Sequence, residues 1–242
     1  INSNLGNIRG LLNYRNFKLV NGDVRNFDLL EKIVRDVDVV IHLAAQIHVD
    51  RSILEPKLTY DINVFGTLNV LELARRYDVN KVIHTSTSEV YGSAQCVPMD
   101  EHHPLDAPHP YGASKIAADR MCSAYIQTYG VNVCVMRPFN AFGPRQRDVG
   151  YGGVISIFVR RVLNGAPPII YGDGTQTRDL MYAEDCAEFV ARAAYSDKVN
   201  GEILNAGLGE DITINELAAI ICKDSTKIKH VKHIHPQSEI PK

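Results

Sequence analysis

Apolar positions along this chain fall into short runs that alternate with amphipathic stretches. Residues 16–23, NFKLVNGD, predict a strand ending in a turn, and 27–36, FDLLEKIVRD, a helix with Leu29, Leu30, Ile33 and Val34 on one side. VDVVIHLAA (37–45) is apolar almost throughout, the pattern of a parallel strand covered on both faces. In 59–78 the residues Ile62, Phe65, Leu68, Leu71, Leu73 and Ala74 recur at helical spacing, and NKVIHTSTS (80–88) predicts a further strand. Residues 111–130 predict a long helix closed by Gly130, and VNVCVMRPFN (131–140) a strand stopped by Pro138. Strand and helix alternating in this order imply right-handed crossovers and an α/β fold, a doubly wound, Rossmann-like parallel sheet.

Beyond about residue 144 the texture changes. PRQRDVGYGG (144–153) predicts a loop, 153–165 a helix, PPIIYGDGTQTRDLMY (167–182) two short strands around a turn, 183–195 a helix and 200–207 a strand. No linker separates this part from the first, so it is expected as a smaller lobe interleaved with the sheet, divided at 143/144.

Composition narrows the function classes. The 242 residues carry 26 basic and 28 acidic side chains, 45% hydrophobic and 22% charged, an ordinary balance with no field for nucleic acid or an anionic membrane. The apolar runs are too short to cross a bilayer. The opening INSNLGNIRG lacks the basic start and apolar core of a secretory leader. Five scattered cysteines without a C-x-x-C pair read as reduced thiols, so a cytoplasmic protein is expected.

Candidate chemistry centres on TSTSEVYG (85–92) and YGASK (111–115). Tyr111 and Lys115, four apart on a helix, share a face. A phenol titrating near about 10 is a poor base at neutral pH, and a neighbouring ammonium favours its ionised form. The run Thr85, Ser86, Thr87, Ser88 and Glu89 lies where a predicted strand ends, which in an open parallel sheet is the edge of the ligand crevice. Turn capping accounts for two of those hydroxyls at most, and the others suit a ligand bearing hydroxyl groups.

These stretches, with GDVR (22–25), HLAAQIHVDRS (42–52), NVFGT (63–67), RPFNAFGPRQ (137–146), YGDGTQTRD (171–179), Tyr182 and Asp185, occur in an order that resembles the extended short-chain dehydrogenase/reductase family. The likeness is to its NAD-dependent nucleotide-sugar epimerases and dehydratases. It implies that Tyr111 removes the proton of the sugar 4-hydroxyl as hydride leaves C4 for NAD, that Lys115 lowers the Tyr111 pKa and holds the nicotinamide ribose, and that Thr87 bonds the same hydroxyl. It further implies adenine contacts from Asp23 and Val24, a cofactor wall of Leu43, Ala44, Ala45, Gln46, Thr85 and Pro138, and a brace at Asn63. Ser88, Asn140 and Arg178 would hold the substrate, the last two at its diphosphate. Residues 1–143 would be the NAD-binding domain and 144–242 mainly the substrate-binding lobe.

Glu89 decides between outcomes. In the family's 4,6-dehydratases a Glu in this place takes the C5 proton, beside an Asp that helps the C6 hydroxyl leave, and here Ser88 stands where that Asp is expected. HVDRS is similar to the dTDP-glucose 4,6-dehydratases, whereas RPFNAFGPRQ and 153–179 look as much like UDP-sugar 4-epimerases. A 4-epimerase has no use for a C5 base, so 4,6-dehydratase stands ahead of 4-epimerase. The glycine-rich strand-turn-helix unit that opens such folds is not among these residues, so further residues are expected before Ile1 and after Lys242. Without that unit the chain would be an inactive nucleotide-sugar-binding or scaffold protein.

No metal is expected. His230, His233 and His235 read as exposed side chains on an edge strand, and His102 and His103 as surface residues. Arg145 and Arg147 suit either phosphate or solvent. The resemblance implies a homodimer through the helices at 57–76 and 111–129, in which Ala118 and Met121 read as packing residues.

Overall fold

The structure is a computed structural model that describes residues 4–148 and 152–232. Helix α1 (Phe27–Val34) begins where the Asn26 side chain accepts the Leu29 amide, and it leads into strand β1 (Val39–His42). Helices α2 (Val49–Leu54) and α3 (Pro56–Tyr60), a π-helical turn (Asp61–Phe65) and α4 (Gly66–Arg76) follow, then β2 (Lys81–Thr85). A 3-10 turn (Ser88–Tyr91) precedes the long α5 (Pro110–Tyr129) and β3 (Val133–Pro138). Helix α5 has Pro110 in its first turn and ends on Gly130 at φ 69°, where a residue with a Cβ would be strained.

The second part supplies β4 (Asn140–Phe142), α6 (Val154–Leu163), β5 (Ile169–Tyr171), β6 (Thr177–Arg178), β7 (Leu180–Tyr182) and α7 (Ala183–Tyr195). It ends with β8 (Ile203–Ala206), β9 (Ile212–Thr213), α8 (Ile214–Ile221) and β10 (Lys229–Val231).

The central sheet runs β1-β2-β3-β8, parallel throughout, so a strand from the second half completes the sheet of the first. Strand alternation sorts its side chains onto two faces. Val82, Val133 and Val135 pack with Leu71, Leu73 and Ala74 of α4 and Cys122 of α5, while Ile83, Cys134 and Met136 pack with Val190 and Ala193 of α7. A third cluster, Phe158, Ile170, Ile214, Leu217 and Ala218, holds the second lobe together.

Three expectations are corrected. Residues 16–23 are not a strand: Leu19 and Val20 are exposed, and no described segment pairs with them, so their backbone has no ladder to join. Among the described residues β1 pairs with β2 alone, at the edge of the sheet, and its Ile41 is exposed rather than covered. The periodic stretch 59–78 is helical as its spacing predicts: α3, the π turn and α4 follow one another without a break from Pro56 to Arg76, with Asn63 buried in the π turn. Residues 167–182 hold three strands, β5, β6 and β7, each pairing with a strand far along the chain. His233 and His235 lie outside the described residues.

A buried ion pair anchors a network that reaches from the first part to β8. Arg137 of β3 and Asp119 of α5 meet at 2.8 Å with side chains 1% exposed. Arg137 also donates to the Tyr91 hydroxyl (2.9 Å) and the Glu101 carbonyl (3.1 Å), and Tyr91 donates to Asn205 of β8 (2.6 Å). Removing one member of a buried pair strands the other charge, typically at about 3–5 kcal/mol. Arg137→Met is therefore expected to lose about 3–5 kcal/mol in urea unfolding, with the double variant Arg137→Met/Asp119→Asn recovering a large part of it.

Candidate active site

β1, β2 and β3 lie side by side and parallel, with His42 opposite His84 and Thr85 opposite Met136. Their carboxyl ends therefore form one edge, which gathers Leu43 to Gln46, Thr85 to Glu89, and Pro138. Asn63 braces this edge: its carbonyl oxygen accepts the Gln46 amide (2.7 Å), and its Nδ2 donates to the Gln46 carbonyl and to Ser114 of α5 (both 2.9 Å). The Tyr111 amide donates to Ser52 of α2 (3.0 Å), which fixes the start of α5 against the same shell.

Tyr111 and Thr87 are brought together, with the Thr87 hydroxyl hydrogen-bonded at the phenol. Thr87, in extended conformation, also accepts the Glu89 amide at 3.2 Å and so caps the 3-10 turn that carries Glu89. Lys115, 2% exposed, donates to the Thr85 carbonyl at 2.6 Å. The phenol is pushed above its ordinary pKa by burial first; the Thr87 bond pulls it down and the Glu89 charge raises it again. The Lys115 ammonium is engaged by the Thr85 carbonyl, and burial lowers its pKa to about 8. His42 and His84 lie beneath it. Burial, then the Lys115 charge, lowers His42 to about 4 and His84 well below its usual range, so both rings are neutral at neutral pH.

Ser88, Glu89, Asn140 and Arg178 line one cavity of about 260 Å³, together with Met99, Phe139, Asp179 and Asn205. Asn140 donates to the Asp179 carbonyl (3.2 Å), while the Asp179 carboxylate accepts the Leu208 and Gly209 amides (2.9 and 2.8 Å). The β8 loop is thus tied to the residues beside Arg178. Asp23 and Val24 lie elsewhere. The Asp23 carboxylate is engaged by Arg25 and held at about 2 by that bond, and Val24 packs on Gly66, where an added Cβ would come within 2.6 Å of it.

The cofactor wall expected at this edge fits a hydrogen-bonding ligand in two respects. Leu43 and Ala44 are exposed at the end of β1, and the buried hydroxyls of Thr85 and Ser86 have no partner among the described residues.

Two residues escaped the sequence. His103 is buried rather than on the surface: its Nε2 accepts the Gln95 amide (3.0 Å), so Nδ1 carries the proton for the Pro104 carbonyl (3.0 Å). His109 caps α5 and reaches Glu89 at 3.1 Å, and the readable signal was its place directly before a helix-starting Pro110. Asp179 was visible inside YGDGTQTRD, but its contacts with the β8 loop were not.

Comparison with known proteins agrees with this architecture. The model of the GDP-mannose 4,6 dehydratase family matches residues 2–240. The structure of Pal from Bacillus thuringiensis is 44% identical with a TM-score of 0.96, covering 99% of this chain and 78% of that one. DesIV, the dTDP-glucose 4,6-dehydratase of Streptomyces venezuelae solved with NAD bound, is 33% identical with a TM-score of 0.91 over 98% of this chain and 73% of its own. A UDP-glucose 4-epimerase of Mycolicibacterium smegmatis is 34% identical over 89% of this chain and 69% of its own length. The chain belongs to the NAD-dependent nucleotide-sugar epimerase/dehydratase family of the extended short-chain dehydrogenases/reductases, a family of lyases and isomerases with a Rossmann-like fold. It spans 66–69% of the length of the first curated relatives it matches. Those relatives carry enzyme names of both kinds, and the inactive-scaffold reading finds no support among them. No described helix is long and apolar enough to cross a membrane.

The unfolded value for a lysine is 10.5, so between about 8 and 10.5 the unfolded chain keeps a proton that folded Lys115 has shed, and stability rises with pH across that window. Measured against Lys115→Met by urea unfolding, the wild-type protein should gain about 3 kcal/mol between pH 7 and pH 10.5. A pH-independent difference would show that the ammonium is not desolvated.

Proposed function

We propose that this protein binds NAD and a nucleotide-diphosphate sugar, oxidises the sugar at C4, and acts as a 4,6-dehydratase. What carries the reading is that Glu89 lines the same cavity as Ser88, Asn140 and Arg178, directly beside the paired Thr87 and Tyr111. NAD, when bound, supplies the hydride acceptor. Leu43, Ala44, Ala45, Gln46, Thr85, Lys115 and Pro138 would hold it at the strand ends. Asp23 and Val24 would meet its adenine side. Asn140 and Arg178 would take the diphosphate.

Tyr111 acts as a phenolate, its own proton having first left to solvent, and removes the O4 proton while Thr87 holds that oxygen; burial works against this ionised form in the free protein. The resulting 4-ketone acidifies C5, and Glu89 accepts that proton as hydroxide leaves C6. The hydride then returns to C6 and the Glu89 proton to C5. By count, the proton first taken from O4 is the one that ends in the released water. Ser88 supplies no acid for that departure, which favours the second reading, a 4-epimerase that returns hydride to the opposite face of C4. For assembly we propose a homodimer through α3, α4 and α5, which is supported by exposed apolar side chains at Tyr60, Phe65 and Tyr129.

Incubation with NAD and UDP-, dTDP- and GDP-sugars separates the readings by mass spectrometry: loss of one water for a dehydratase, isomer exchange at constant mass for an epimerase. Tyr111→Phe should lower either activity about 10²- to 10⁴-fold. Glu89→Gln should lower dehydration by a similar factor and leave C4 oxidation in place, and dehydration retained in that variant removes Glu89 from the mechanism.

A further inference from the structure

We propose that His109 is a positioning residue for Glu89, holding one carboxylate oxygen through a fixed Nε2–H so that the other oxygen is free to take the C5 proton. This inference rests on the dehydratase reading of the site.

His109 uses its two nitrogens for two tasks. As the cap of α5, its Nδ1 accepts the Gly112 amide at 3.0 Å. A backbone amide only donates, so Nδ1 bears a lone pair, and in the neutral ring the proton sits on Nε2. That nitrogen is 3.1 Å from Glu89 Oε2 and donates to it. Capping alone does not call for an imidazole, because Ser, Thr, Asn or Asp performs it with one acceptor and is preferred. What the ring adds is a second nitrogen, aimed at a carboxylate that lines the cavity.

The surroundings leave this ring little freedom. Its side chain is 1% exposed, and it stacks on the Tyr111 ring at 6.0 Å with 14° between planes. At Gly112 an added Cβ would stand 2.4 Å from the Ala107 Cβ, 3.1 Å from the Glu89 carbonyl oxygen and 3.2 Å from His109 Cε1. His109 itself does not line the cavity, so it acts through Glu89. In the C5 step the C–H electron pair enters the enolate, and the proton bonds to the free Glu89 oxygen. The His109 proton stays on Nε2. Held this way, the new carboxylic acid stays aimed at C5, exchanges its proton with solvent through the open cavity, and returns one to C5 as hydride arrives at C6.

Two variants separate this role from capping. His109→Asn keeps an acceptor for the Gly112 amide but is too short to serve Glu89, whereas His109→Gln places an amide N–H near the site of Nε2. The NAD-loaded protein is mixed with dTDP-glucose or UDP-glucose in D2O, reading NADH absorbance for C4 oxidation and mass spectrometry for deuterium at C5. In His109→Asn, C5 uptake and water loss should fall about 10- to 100-fold while C4 oxidation falls less than about 3-fold, with partial recovery in His109→Gln. Long-range 1H–15N spectra, with the His109 signal assigned by its loss in His109→Asn, should show the Nε2–H tautomer in the resting protein. An equal fall in both steps, or a tautomer protonated at Nδ1, overturns the proposal. C5 uptake at the wild-type rate in His109→Asn overturns it while leaving the dehydratase reading intact. Wild-type protein that oxidises C4 without C5 uptake refutes that reading and this inference with it.

Discussion

The pairing of Arg137 with Asp119 sets the frame on which the site is built. Both charges are removed from water, so each must be answered by protein groups at close range. The guanidinium does this with Asp119 on α5, Tyr91 on the turn after Glu89, and the Glu101 carbonyl. Tyr91 passes the link to Asn205 on β8, whose amide in turn donates to Glu101 (2.7 Å). Three segments distant in sequence are thereby held in one register: the helix with Tyr111, the turn with Glu89, and the strand that brings the second lobe to the cavity. Hydrophobic packing alone is more tolerant of shifts between such segments than a directional, charged network.

Within that frame the site is dry. Tyr111, Lys115, His42 and His84 are all buried, and burial is the leading cause of each of their shifts. The direction is the same in chemical terms for all four: each is pushed toward its neutral form. A neutral phenol beside a hydroxyl is a resting state. Such a phenol can act as a base only after its own proton has left, a loss that burial opposes. Glu89 differs, because its side chain is 22% exposed and lines the cavity. In the proposed reaction one buried phenol and one open carboxylate take two protons in turn, the first from O4 and the second from C5.

The second lobe contributes by closure rather than by chemistry of its own. Asp179 gathers the amides after β8, and Asn140 bonds the Asp179 carbonyl, so the wall bearing Arg178 is anchored to the end of the main sheet. The cavity therefore lies between parts of the chain that interleave.

Much of this was legible in the residues themselves. The alternation of runs specified α1, β1, β2, α5, β3, α6, α7 and β8, because burial of a helix stripe or a strand face leaves a period in the sequence. The ordered motifs pointed to the family, and so to Tyr111, Lys115, Thr87 and Glu89. What could not be read was set by partners distant along the chain. Residues 16–23 have strand-like side chains, yet a strand exists only beside another, and none of the described residues lies there. β6 and β9, two residues each, are too short to leave a pattern and exist through their pairing. His103 looked like a loop residue until its two nitrogens found the Gln95 amide and the Pro104 carbonyl. Which way Lys115 points, toward the phenol or toward the Thr85 carbonyl, depends on the depth of the pocket around it. Periodicity and motif order are local properties and determined the elements and the family; hydrogen-bond partners, burial and the ionisation that follows from them belong to the assembled chain, since they depend on which distant groups replace water.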